Sequence, residues 1–349
     1  MGLSRSLLLG YVVACVSPLP LAVSHEDPLV SALSALAISP LAILIYLLVK
    51  SKWSSGGFYS YSKRVSPTLA RVQLYSWLLS YVLYVAYTVD YISFYVLNLP
   101  ASGSIVMVLS LSAIASALVA SGFVYVALLA TSIVQIALSI PVGWRFSPSA
   151  VVPSHPFTAI LSSGLLLICI SLAPYASGDE RHAWIIPFAF TLSSVLMIIG
   201  GFFVAPSFVV YLQSIGQYSI VLAEYAAVRG VLVDELQLRK GTVGLVVLVM
   251  ILSIVSLLNY GLFYDLTIVP SIAALYLSLA LAAPLSAAYL RSSLAYILAF
   301  LSMVFFAYGL LNVLTTARGI YFIDAILAIV SPASLGLAVG WAKHIRERG

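Results

Sequence analysis

Apolar stretches long enough to cross a bilayer recur along this chain from end to end, and nearly all of its charge falls between them. Hydrocarbon offers the backbone no hydrogen bonds, so stretches of this length must satisfy their own as helices. Of the 349 residues, 62% are apolar and 8% charged, with a mean hydropathy of +1.12. That is too little charge to wet the surface of a soluble domain of this length. The longest polar interval, Lys50 to Pro67, is loop-sized, so no soluble domain is expected. Windows of about nineteen residues place spans near 6–24, 28–50, 70–97, 103–119, 121–142, 156–178, 184–205, 207–228, 242–263, 267–289, 293–315 and 320–341. The expected fold class is an all-α polytopic membrane protein of about 12 transmembrane helices.

Charge sets the expected orientation. With the N-terminus inside, the inner loops hold Arg5, Lys50, Lys52, Lys63, Arg64, Arg71, Arg181, Arg229, Arg239, Lys240, Arg291, Lys343, Arg346 and Arg348. The outer loops hold only Arg145 and Arg318, two of the sixteen basic residues. Translocation disfavours positive charge in short loops, so both termini are expected in the cytoplasm and the chain in the cell membrane. Trp144, Trp184 and Trp341 fall at span ends, where amphipathic rings settle. The positive balance therefore reports topology, and no nucleic-acid partner is expected. Arg5, the run Leu7–Val16 and Ala22-Val23-Ser24 also fit a secretory signal. A first membrane helix is preferred, because removing it would leave an odd number of spans. Met1-Gly2…Ser6 fits a weak myristoylation pattern that adds little to a multi-pass protein.

Two spans look interrupted. Span one carries Ser17-Pro18-Leu19-Pro20, whose prolines remove two donors and crowd preceding carbonyls. Span six carries Ser162-Ser163-Gly164, a weaker break. Discontinuous helices placed alike in two halves of a chain point to a transporter's binding site; here they open two successive five-span units. A proline kink and a serine–glycine packing face would need no ligand. Span three is rich in tyrosine, with Trp77, Tyr81, Tyr84, Tyr91 and Tyr95 on one stripe and Tyr87 beside it. Such a stripe is more often packing than a ligand box. Asp90 lies about 28 Å of helix rise beyond Arg71, in the outer part of the membrane. Span eight has the most polar face, with Gln213, Ser214, Gln217, Tyr218 and Ser219, and must turn inward. Glu224, five residues before Arg229, reads first as a snorkelling residue at the inner boundary.

Other chemistries are poorly served. Cys15 and Cys169 lie in apolar stretches and offer neither a disulfide framework nor a metal spacing. The histidines at 25, 155, 182 and 344 sit in loops or termini, against a haem or copper centre held by intramembrane histidines. No lysine lies in mid-span, against an antiporter-like proton-pumping subunit, and no phosphate loop or hydrolase elbow appears. No cofactor and no catalytic residue are expected.

The segment from Ser54 to Pro67, with Gly56-Gly57, Phe58, Tyr59, Tyr61 and Lys63-Arg64, resembles the inner-loop signature of amino-acid permeases. Trp77-Leu78-Leu79-Ser80-Tyr81 continues the likeness, and Trp184-Ile185-Ile186-Pro187-Phe188-Ala189 is similar to the lead into their seventh span. The resemblance, to the amino acid–polyamine–organocation superfamily, covers the whole span plan. It implies a five-plus-five inverted repeat of leucine-transporter type plus two extra helices: residues 1–142 as the first repeat, 143–290 as the second, and 291–349 as spans eleven and twelve. It further implies a secondary transporter of amino acids or related small amines, working by alternating access at a site between spans one, three, six and eight. The substrate-binding candidates are Ser17, Pro18, Leu19, Tyr84, Tyr87, Ser162, Ser163, Gly164, Ser214 and Gln217; Asp90, Ser214 and Glu224 are candidates for coupling to Na+ or H+. The chain departs from the family by carrying Val16-Ser17-Pro18-Leu19-Pro20 where a glycine-rich stretch holds a substrate carboxylate, and span five has no lysine for proton coupling. Two alternatives stand beside transport. One is a non-transporting membrane subunit or sensor on the same fold. The other is a glycosyltransferase-like membrane enzyme using His25-Glu26-Asp27 for a metal.

Overall fold

The computed structural model describes residues 2–149, 155–238 and 240–346, with the side chains of Pro156 and of residues 340–346 outside that description. Arg239 and Arg348, and the side chains of Trp341, Lys343, His344 and Arg346, therefore lie outside the described residues.

The chain is a multi-pass, all-helical membrane protein. Among the described residues eight helices are long and apolar enough to cross a membrane, and a bent pair makes a ninth. In chain order they begin with α1 (Arg5–Val16), α2 (Pro18–Val23), α3 (Pro28–Ser51) and the short α4 (Gly57–Val65). Then come α5 (Pro67–Asp90), which continues as a π-helical turn over Tyr91–Val96, α6 (Ala101–Ser121) and α7 (Val124–Ser139). The second half opens with strand β1 (Arg145–Phe146), α8 (Pro156–Ser163), α9 (Leu165–Ile168) and a 3-10 segment (Cys169–Tyr175). It runs on through α10 (Ile185–Gly200), strand β2 (Phe203–Val204), α11 (Ser207–Gly230) with a π-helical turn over Val231–Glu235, α12 (Gly241–Ser256) and α13 (Tyr260–Leu290). The last two are α14 (Ser293–Thr316) and α15 (Ile320–Arg346).

Local sequence explains most boundaries. Asp27 accepts the backbone N–H groups of Leu29 and Val30 ahead of Pro28, and Ser66 caps α5 ahead of Pro67. Both follow the rule that a short polar cap precedes a proline in the first turn. The weakest sequence boundary, near Ala120, is cut at Gly122, whose φ of 80° lies in the left-handed region open to glycine. Three expected spans fall outside these nine. Helices α7 and α12 have 16 residues each, about 24 Å of rise against a hydrocarbon core of roughly 30 Å. The 24-residue α11 is long enough but carries the polar face.

Contacts sort the loops into two ends. At one, Leu3 N–H donates to the Ser177 carbonyl, Trp53 N–H to Glu180, and Lys63 pairs with Glu235. This end gathers Lys50, Lys52, Lys63 and Arg64, and is called the basic end here. At the other, β1 pairs antiparallel with β2, and Trp144 packs with Leu19, Leu196 and Val209. The N-terminal helix is central: 78% of the spanning window of α1–α2 is buried, against 28% for α14 and 22% for α15. Gly10 permits that position, because a Cβ there would lie 2.5 Å from Leu129 Cα on α7. The two last helices wrap α13 and α5 from outside.

Candidate functional site

Both expected breaks exist. The first helix stops at Ser17, whose φ of 38° is unusual for a residue with a side chain. Pro18 and Pro20 then start α2, which carries on the same span. The Ser17 hydroxyl lies 2.7 Å from the Gly216 carbonyl of α11 and 3.0 Å from that of Ala14, so the break is tied to α11. Gly216 is required there, since a Cβ would strike the Pro20 ring. The second break bends the chain by 56° between α8 and the segment from Leu165 to Tyr175. In the 3-10 segment Cys169–Tyr175 the Leu172 carbonyl accepts from Tyr11 at 2.9 Å, and the Ser171 hydroxyl pairs with that of Tyr81 at 2.9 Å.

About two turns along α11 from Gly216, toward the basic end, lies Glu224. It is completely buried, and neither carboxyl oxygen has a hydrogen-bond partner among the described residues. Cys15 of α1, Cys169 of the 3-10 segment, and Tyr81, Tyr84 and Tyr87 of α5 all lie within electrostatic reach of it. This corrects the reading of Glu224 as a snorkelling boundary residue. The sequence placed the helix end near Arg229, but the π-helical turn carries it on to Glu235. Eleven further residues put Glu224 about 16 Å from that end, well inside the bundle.

The other candidates divide. Tyr84 and Tyr87 are buried and pack on Ile220 of α11, Leu166 of α9, and Phe263 and Tyr264 of α13. Ser17, Pro18 and Leu19 are buried at the first break. Ser163 is buried with an unpartnered hydroxyl, and Gln217 is 7% exposed. Ser214, one turn nearer the opposite end, is half-buried. Ser162 is exposed and its hydroxyl turns back onto Thr158 and Ala159, so it does not reach the centre. Gly164 serves packing against Ile38 and Ser34. Asp90 is buried apart from Glu224, accepting from Ser256 of α12 at 2.8 Å, with its second oxygen unpartnered. Asp27 is occupied in capping α3, and no cluster of three metal-ligating side chains occurs among the described residues.

Gln135 of α7 was not singled out by sequence. It is fully buried beside Gly216 with both amide atoms unpartnered. A lone amide amid an apolar span was the available signal.

The basic end is closed. The Trp77 ring stacks on Tyr175 at 4.2 Å, directly above Gly57, where a Cβ would collide with the Tyr175 ring. Trp53 Nε1 donates to Ala176 O at 2.7 Å, and Tyr61 donates to Lys52 O at 2.6 Å. Burial pushes the Tyr61 phenol above its ordinary range. Gly57 thus lets α4 fit beneath the end of the second broken helix, and Gly56 leaves room for Glu235. Open grooves of about 500 and 770 Å3 lie elsewhere, between α5, α11 and α12 and between α3, α8 and α14. Their linings are almost wholly apolar, as expected of surfaces facing lipid.

No protein-family model matches the chain, and no curated protein matches it significantly.

Proposed function

We propose that this protein is a secondary active transporter of small amines or amino acids, with its site between α1–α2, α5, the α8–α9 break and α11. The observation that carries this reading is a buried carboxyl, unpartnered among the described residues, on α11, a helix that packs on both broken helices in an otherwise apolar bundle. Irregular backbone at membrane depth is tolerated where it is covered by protein or lines a cavity, and buried acids there mark functional sites by default. On this reading the bundle crosses the membrane twelve times with both termini in the cytoplasm, and α14 and α15 are scaffold.

An inverted five-plus-five repeat has its own support. Helices α5 and α11 are each 24 residues long, run in opposite directions, and end in a π-helical turn. The bonds closing those turns correspond: Leu97 N–H to Ile92 O and Leu99 N–H to Ser93 O in one, Leu236 N–H to Val231 O and Leu238 N–H to Leu232 O in the other. A left-handed residue sits at the matching place in each, Asn98 and Gln237. Helices α6 and α12, which follow, meet each other through Ser112 and Ser253 at 2.7 Å.

A non-transporting sensor is the second reading. The observation favouring it is the proline-rich break, whose Ser17 hydroxyl is already committed to Gly216. Solute counterflow in proteoliposomes, screened over labelled amino acids and primary amines, separates the two. Exchange of at least one solute class is expected; none, from folded and monodisperse protein, would leave the sensor reading.

A further inference from the structure

Among the described residues Glu224 has no partner that meets a negative charge. The groups within electrostatic reach of it are the Cys15 thiol from α1, the Cys169 thiol from the 3-10 segment, and the phenols of Tyr81, Tyr84 and Tyr87 from α5. Of these, Tyr81 is engaged with Ser171. The helices α6 and α7 also pack on α11, and there they present hydroxyls: Ser116 to Tyr225 at 3.0 Å, and Thr131 to Ser219 at 2.8 Å. On its own helix, Arg229 lies more than a turn away.

An ionised carboxylate without a cation or donor costs several kcal/mol at such a place. Sodium would need a shell of several oxygen ligands at once, and two of the groups near the carboxyl are soft thiols. A proton needs only one carboxyl oxygen. We propose that Glu224 is the proton carrier of the transport cycle, holding a proton in this closed bundle and exchanging it with water when the two broken helices move apart. An O–H bond forms with a proton from water on the open side and breaks to water on the other side. One proton crosses per cycle, and nothing is oxidised or reduced. The inference rests on the transport reading above and adds the coupling ion and its residue.

Two measurements on the full chain in liposomes keep the two readings separable. In the first, difference infrared spectroscopy after a pH jump should show a protonated-carboxyl stretch at neutral pH. Glu224→Gln should abolish the band, Glu224→Asp should shift it, and sodium chloride at fixed pH should leave it unchanged. A spectrum without the band overturns the proposal, whatever is found for transport. In the second, labelled amino acids and primary amines are followed in counterflow and in uptake driven by a pH gradient. The ratio of gradient-driven accumulation to exchange should fall at least tenfold in Glu224→Gln. An unchanged ratio, or accumulation that follows a sodium gradient, overturns it. A band with no exchange of any solute defeats the transport reading and the coupling role with it. Glutamine mimics the neutral acid, so a Glu224→Gln melting temperature well below wild type also counts against a resident proton.

Discussion

The closest approach between two helices gives the most direct test of the packing. At Gly10 a Cβ would sit 2.5 Å from Leu129 Cα and 2.9 Å from its N, both backbone atoms that cannot swing aside. Ordinary carbon contacts lie near 3.5–4.0 Å, so Gly10→Ala must push α1 and α7 apart by roughly 1 Å. Overpacking of this kind costs about 1–3 kcal/mol. The same displacement stretches the bond from Ser132 Oγ to Gly10 O, now 2.7 Å, worth about 0.6 kcal/mol by the average for interhelical bonds in membranes. Against this, alanine is about 0.8–1 kcal/mol better than glycine within a helix. The expected net loss is about 1.5 kcal/mol, close to tenfold in the unfolding equilibrium. Gly244 on α12 is the control, since a Cβ there meets nothing within 4 Å and keeps only the helix gain. Equilibrium unfolding in mixed micelles, from mild detergent to dodecyl sulfate, reads both variants. A Gly10→Ala protein as stable as wild type, or a Gly244→Ala protein less stable than Gly10→Ala, would refute this account of the bundle centre.

Other features give shorter tests. Trp53→Phe removes the buried donor to Ala176 O and should cost about 1–2 kcal/mol in the same unfolding assay; a neutral result would mean that the basic-end closure is looser than described. In a cysteine-free background, Arg64→Cys and Arg291→Cys should react with an impermeant maleimide only from the cytoplasm, and Asn98→Cys and Gly319→Cys only from outside; any mixing of the two sets breaks the topology. Native Cys15 and Cys169 are buried and should resist maleimide until the bundle unfolds, so rapid labelling of the resting protein would contradict their placement. Arg181 holds the exposed Asp179 carboxyl well below the usual carboxylate range. Any stability from that pair is present above the unfolded titration range and lost as pH falls through the folded one. Exposure screens it, so Asp179→Asn should leave the acid unfolding midpoint unchanged.

The membrane class and the helix positions were legible because hydropathy, proline and short polar caps act locally. Pro18 and Pro20 announced the first break, whereas Gly56-Gly57 stood out only through a family resemblance, because the ring that requires Gly57, Tyr175, lies far along the chain. Glu224 was misplaced for an equally physical reason. Spacing from Arg229 measures depth only if the helix ends there, and a π-helical turn is invisible to hydropathy. Gln135 went unnoticed because one amide hardly lowers the mean of an apolar window. Ser162 looked like part of the second break, but helical phase turns it outward.

The opposed directions of α5 and α11 set their matching π-helical turns at opposite ends of the bundle, where different side chains cover them. At the basic end the closing contact is ionic, Lys63 with Glu235, beside Ser60. At the other it is aromatic: Phe94 lies flat on Tyr260 at 3.8 Å, and Tyr95 leans on Tyr264. Salt screens charges and leaves ring contacts nearly untouched. The two mouths therefore answer to different solvents: ionic strength loosens one face, while agents that compete for aromatic surface loosen the other.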